Sequence, residues 1–127
     1  MNLIYVAGRY RAPTREGVNL NIQAATMVGL MAAEKGWYPV IPHTNTMHFE
    51  HLADKHDEFY LDGTLELMRR CDAVVMVPGW KKSSGAIGEV NEAKRLNMDI
   101  FFVADDLPVV KAWLASRTLG IRSDTKP

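Results

Sequence analysis

Cysteine is nearly missing from this sequence: Cys71 is the one thiol in 127 residues. That excludes a disulfide framework, a CxxC redox pair and a thiolate zinc cluster within the chain. So little cysteine fits a reducing compartment, and a cytoplasmic location is expected. Net charge is missing too, because 15 basic and 15 acidic side chains cancel to +0. A chain-wide coat for a nucleic-acid polymer or an anionic membrane is therefore not expected. No run of about 18 apolar residues occurs, so no membrane span is expected either. The opening MNLIYVAG has no basic region ahead of a long apolar stretch and reads as a strand, not an export signal. Two phosphate-binding loops are absent: GxGxxG after the first strand, and GxxxxGK[ST] anywhere. Dinucleotide and ATP binding of those kinds are disfavoured, and no cofactor is expected. The apolar strand ending in Val77-Pro78 also lacks the Asp of a phosphoryl-accepting receiver.

What is present is an ordinary globular balance, 47% hydrophobic and 24% charged, in a length that suits one domain over residues 1–127. Leu3–Gly8 is a short β-branched and aromatic run closed by glycine, a buried strand. Pro13 stops an early helix and Thr14 offers a cap. From Glu16 to Lys35, Val18, Ile22, Ala25, Val28, Met31 and Ala32 recur at helical spacing, with Gly36 as a left-handed terminator. Trp37–Pro42 is a second strand, followed by a polar, histidine-rich loop. Helix is expected over Glu58–Arg70, strand over Asp72–Pro78, helix over Gly85–Asn97, strand over Asp99–Ala104 and helix over Leu107–Arg117. The tail from Thr118 reads as a short polar end. Strand and helix alternate throughout. The expected fold is α/β: a doubly wound, mostly parallel sheet of four or five strands, flavodoxin- or Rossmann-like, in the order 2-1-3-4 with helices on both faces. Ligands of such sheets bind beyond the carboxyl ends of the strands, where the strand order reverses. The walls of that crevice are then GRYRAPTR after the first strand and PGWKKSSGAIGE after the third.

Each wall carries chemistry. Ser83 and Ser84 are N-cap residues, and free N–H groups at a helix start attract anions. Gly85, Ala86 and Gly88 leave room for a ligand against the backbone; they equally suit close packing of helix on sheet. Glu89 follows about a turn later and is expected to face the crevice, held ionised by the helix dipole. Arg9, Arg11 and Arg15 on the opposite loop suit a phosphate or carboxylate, or a solvated surface. Trp80 at a strand exit can stack a base or pack on the core. Among His43, His48, His51 and His56 no metal spacing is present, so no metal is expected. His43, directly after the second strand, is the best placed for a base or sugar contact. Cys71 and Met27, Met31, Met47, Met68 and Met76 read as core.

These blocks together match a family. IYVAG, RRCDAVVMVPGW and SSGAIGEVNEA, in that order and spacing, resemble the nucleoside 2-deoxyribosyltransferase-like superfamily, closest to a small branch marked by PGW…SxGAxxE. The resemblance implies cleavage or transfer at the N-glycosidic bond of a deoxynucleoside or deoxynucleotide. It places the family nucleophile on Glu89 and the tyrosine that orients it on Tyr5. Relatives that hydrolyse deoxynucleoside 5′-monophosphates carry serine at the position of Ser83 and a Tyr-x-x-Gly-x-x-Arg run, here Tyr5 to Arg11. Ser83, Gly8 and Arg11 would then hold phosphate. One departure stands out. The family's second catalytic aspartate falls on Thr64, and Asp62, two residues earlier, is the substitute candidate if Gly63 lets the helix start irregularly. Asp72, at the far end of that helix, reads as structural. Related enzymes complete their sites across subunits, which implies a homodimer or larger oligomer.

Overall fold

The computed structural model describes residues 1–52, 57–103 and 121–123. Its elements are β1 (Leu3–Ala7), α1 (Arg15–Glu34), β2 (Tyr38–Val40), a short α2 (Pro42–Asn45), α3 (Asp57–Arg69), β3 (Ala73–Met76), α4 (Ser84–Arg95), β4 (Asp99–Val103) and β5 (Ile121–Ser123). The sheet order is β2-β1-β3-β4-β5. The first four strands are parallel, as expected, and β5 pairs antiparallel to β4. The polar tail thus contributes an edge strand that its composition did not announce. The helix expected over Leu107–Arg117 lies outside the described residues.

Caps fix the helix ends. The Thr14 hydroxyl accepts the Gly17 N–H at 3.0 Å, starting α1 after Pro13. Gly36 (φ 95°) ends it: the Gly36 N–H reaches the Ala33 carbonyl and the Trp37 N–H the Ala32 carbonyl. That pair of bonds is a Schellman motif, which a residue with Cβ would strain. Asn97 (φ 57°) plays the same part after α4. Pro39 costs β2 one ladder donor, which is tolerated because β2 lies at the sheet edge.

Strand parity divides the core. Ile4, Val6, Ala73, Val75 and Val103 face α1 through Ala25, Val28, Met31 and Ala32. Tyr5, Ala7, Val74, Met76, Ile100 and Phe102 face α3 and α4 through Met68, Ala86, Val90 and Ala93. Both faces are therefore covered, as a parallel sheet requires. Cys71, Met31, Met68 and Met76 are buried as expected; Met47, expected in the core, is 48% exposed. Asp72 is structural: it accepts the Leu3 N–H (2.7 Å) and donates its own N–H to the Leu3 carbonyl (2.9 Å), locking β1 to the entry of β3.

Candidate active site

The sheet order reverses between β1 and β3, and beyond their carboxyl ends lies a cavity of about 660 Å³. Its walls come from the β1–α1 loop (Gly8 to Arg15), from α2 (His43), from α3 and from the start of α4 (Ser83 to Glu89). Of the expected site residues, Tyr5, Gly8, Arg9, Arg11, His43, Ser83, Ser84, Gly85 and Glu89 all line it.

The floor follows from strand parity and helix spacing. Tyr5 points to the α4 side of the sheet because Ile4 and Val6 point to the other. Ser83 caps α4 by accepting the Ala86 N–H at 3.2 Å, which fixes the phase of the helix. Ala86, Glu89, Val90 and Ala93 then fall on the buried face. Tyr5, fully buried, donates its hydroxyl to Glu89 Oε2. Glu89 is only 8% exposed, and because it lines the cavity, that remaining access opens into the cavity.

Burial pushes the Glu89 carboxyl up to about 7, and the Tyr5 hydrogen bond pulls it only partly back. The expectation that the helix dipole holds it ionised is thus corrected. Glu89 sits in the second turn of α4, beyond the dipole's reach, and desolvation wins. Burial, followed by the Glu89 charge, raises the Tyr5 phenol far above its ordinary value, so it stays a donor. His43 is 5% exposed; its Nε2 faces the Arg9 carbonyl at 3.1 Å, so that nitrogen carries the proton. Burial lowers the imidazole pKa, against the pull of the Arg9 and Gly8 carbonyls, and the ring is neutral at neutral pH. Among the described residues, the buried His43 Nδ1 and Tyr60 hydroxyl have no hydrogen-bond partner, and both residues line the cavity.

The rim is polar and exposed to solvent at Arg11 and Asp57. Arg11 pairs with Asp57 across the mouth. The Tyr10 hydroxyl donates to the Glu50 carboxylate (3.0 and 3.1 Å) and accepts the His48 N–H (2.7 Å). Lys82 and Arg15 complete the cationic side. Gly8 has a packing reason: a Cβ there would stand 2.7 Å from Val77 Cβ, where the β1 loop crosses the end of β3. Gly88 is exposed and does not line the cavity, so it leaves no room for a ligand there.

Two expected residues are not in the site. Asp62 is exposed and does not line the cavity. Helix α3 runs unbroken through Gly63, so its cavity face is Asp57, Tyr60, Leu61 and Thr64, spaced three and four apart. Asp62 lies about 200° round the helix from Thr64. Trp80 is the second. Gly79 (φ 89°) turns the chain so that Trp80 packs over Phe102, ring centroids 5.8 Å apart, on the sheet face rather than in the cavity. Thr64 stands beside the Tyr5 phenol and donates its hydroxyl to the Leu61 carbonyl at 3.1 Å. Sequence reasoning missed Tyr10, Glu50 and Asp57. Their partners are 40 and 46 residues away, and the helical stripe 57-60-61-64 was the one signal that could have marked Asp57.

Among the described residues no group of histidine, cysteine, aspartate or glutamate side chains could hold a metal, and no helix is long and apolar enough to cross a membrane. No curated protein matches the sequence. Residues 2–103, from the residue before β1 to the end of β4, match a family described as a domain of unknown function (DUF7768), and the chain belongs to that family.

Proposed function

We propose that this domain cleaves or transfers at the N-glycosidic bond of a deoxynucleotide or deoxynucleoside, with Glu89 as nucleophile. The observation that carries the reading is the buried Tyr5–Glu89 pair opening into a cavity with a cationic rim. Tyr5 holds Oε2, which leaves Oε1 for the anomeric carbon of the sugar. As the carbon–Oε1 bond forms, the carbon–nitrogen bond breaks and its electrons leave with the base, which takes up a proton. Water or a second base then attacks the same carbon and frees Glu89, the logic of retaining glycosidases. Thr64 is no acid and Asp62 does not line the cavity, so neither supplies the proton to the base. The 5′-phosphate sits against Arg11, the Ser83 end of α4 and the Gly8 loop, where cations and free N–H groups converge. His43 Nδ1 and the Tyr60 hydroxyl face the base or sugar.

A second reading has its own support. Thr64 in place of a second carboxylate favours a module that binds the nucleotide without turning it over. Apolar side chains exposed on the segments flanking the mouth, Phe49, Leu52, Phe59 and Leu61, support a homodimer that covers them, and sedimentation at working concentration tests it. A cytoplasmic location belongs to the same reading.

The test is base release. A panel of deoxynucleotides and deoxynucleosides is incubated with the protein and free base is read by chromatography. Release that disappears in folded Glu89→Ala supports the enzyme; ligand binding by calorimetry with no base from any substrate favours the binding module.

A further inference from the structure

Arg11, the residue assigned to phosphate, already holds an anion: the Asp57 carboxylate. Arg11 and Asp57 are 69% and 67% exposed and both line the cavity mouth. An ion pair so deep in water is worth at most about a fivefold bias, so an incoming anion can replace it. The loop beneath Arg11 is anchored independently. Asn21 Nδ2 donates to the Tyr10 carbonyl at 2.9 Å and the Arg11 carbonyl at 3.3 Å, and the Tyr10 side chain is tied to Glu50. The Arg11 guanidinium can therefore change partner without moving its backbone.

We propose that Asp57 is a specificity-determining residue: it occupies Arg11 in the empty site and competes with the ligand's phosphate for it. This rests on the reading of Arg11 as a phosphate contact. Asp57 acts on the phosphorylated ligand in two ways. It lowers the fraction of molecules with Arg11 available, which lowers apparent affinity by that fraction. Once displaced, it remains near the mouth as a like charge. A ligand without an anionic group meets neither effect. Asp57 thus sets how strongly the site favours a phosphomonoester over its unphosphorylated counterpart.

Methyl phosphate, titrated into the full chain at pH 8 and followed by NMR, isolates the anion from the identity of the base. Arg11→Ala weakens binding by about tenfold or more. Asp57→Asn tightens it by about three- to fivefold. In the Arg11→Ala background the effect of Asp57→Asn shrinks to less than about twofold, since the competition is gone and only the solvent-screened like charge is left. Weaker or unchanged binding in Asp57→Asn overturns the proposal, as does an equal effect with and without Arg11. If Arg11→Ala itself leaves methyl phosphate binding intact, the phosphate reading fails and the competition falls with it.

Discussion

Glu89 and Glu92 stand one turn apart on α4 and have opposite fates. Burial drives the Glu89 carboxyl up to about 7. Glu92 is held down at about 2, first by its hydrogen bonds to Arg95 and Arg69. Its bonds are 2.8 Å to Arg95 Nε and 2.9 Å to Arg69 Nε. The helix is the same and the residue type is the same. What differs is the surrounding: Glu89 has the neutral Tyr5 donor in a buried floor, whereas Glu92 has two cations at the α3–α4 surface. A carboxylate poised near neutral pH suits chemistry; one locked in its charged form suits the joining of two helices.

The comparison breaks first at Glu89. With the proposed activity, Glu89→Gln lowers turnover by at least about 10³-fold, because no nucleophile remains. Glu92→Gln leaves kcat/KM within about twofold, since its partners lie outside the cavity. Steady-state base release for both variants makes the test, and equal losses would sink the distinction. Next comes the phenol. Tyr5→Phe lowers kcat by about 10- to 100-fold through loss of carboxylate positioning. It also removes the bond that lowers the Glu89 pKa. Wild-type kcat/KM rises with pH through about 7, as Glu89 ionises, and in Tyr5→Phe that limb moves to higher pH. A limb near the ordinary carboxylate value, or a downward move, contradicts the burial argument.

Stability gives a smaller contrast. The folded pKa of Glu89 is raised, so its contribution is intact below the ordinary value of 4.5 and is lost as pH rises through about 7. Glu89→Gln should therefore be more stable than wild type at pH 8, by on the order of 3 kcal/mol. The gap closes in acid, and urea melts across that range measure it. Glu92→Gln has the smallest effect: a slight loss of Tm at low ionic strength that salt removes.

Much of this was legible beforehand because it depends on local rules. Alternating strand and helix patterns led to the 2-1-3-4 sheet, and the sheet to the crevice. Thr14, Gly36 and Ser83 act at the helix ends where their chemistry places them. The Tyr5–Glu89 contact was expected from the family resemblance alone; strand parity and helix phase are the physical reason that it forms. Asp62 fails for a related reason: without a break at Gly63, two residues of helix turn a side chain to the other face. Trp80 fails because a left-handed turn at Gly79 redirects the chain.

By itself, then, the sequence determined which face each strand residue takes, where the helices begin and end, and which crevice the strands leave open. These follow from backbone periodicity and capping, which act over a few residues. Only the tertiary structure decided which charges meet. Arg11 finds Asp57, Tyr10 finds Glu50 and Glu92 finds Arg69 across 46, 40 and 23 residues. It also decided that Glu89 is buried deeply enough for its carboxyl to be pushed up to about 7. Burial and long-range pairing depend on how the elements pack, and no local pattern encodes either.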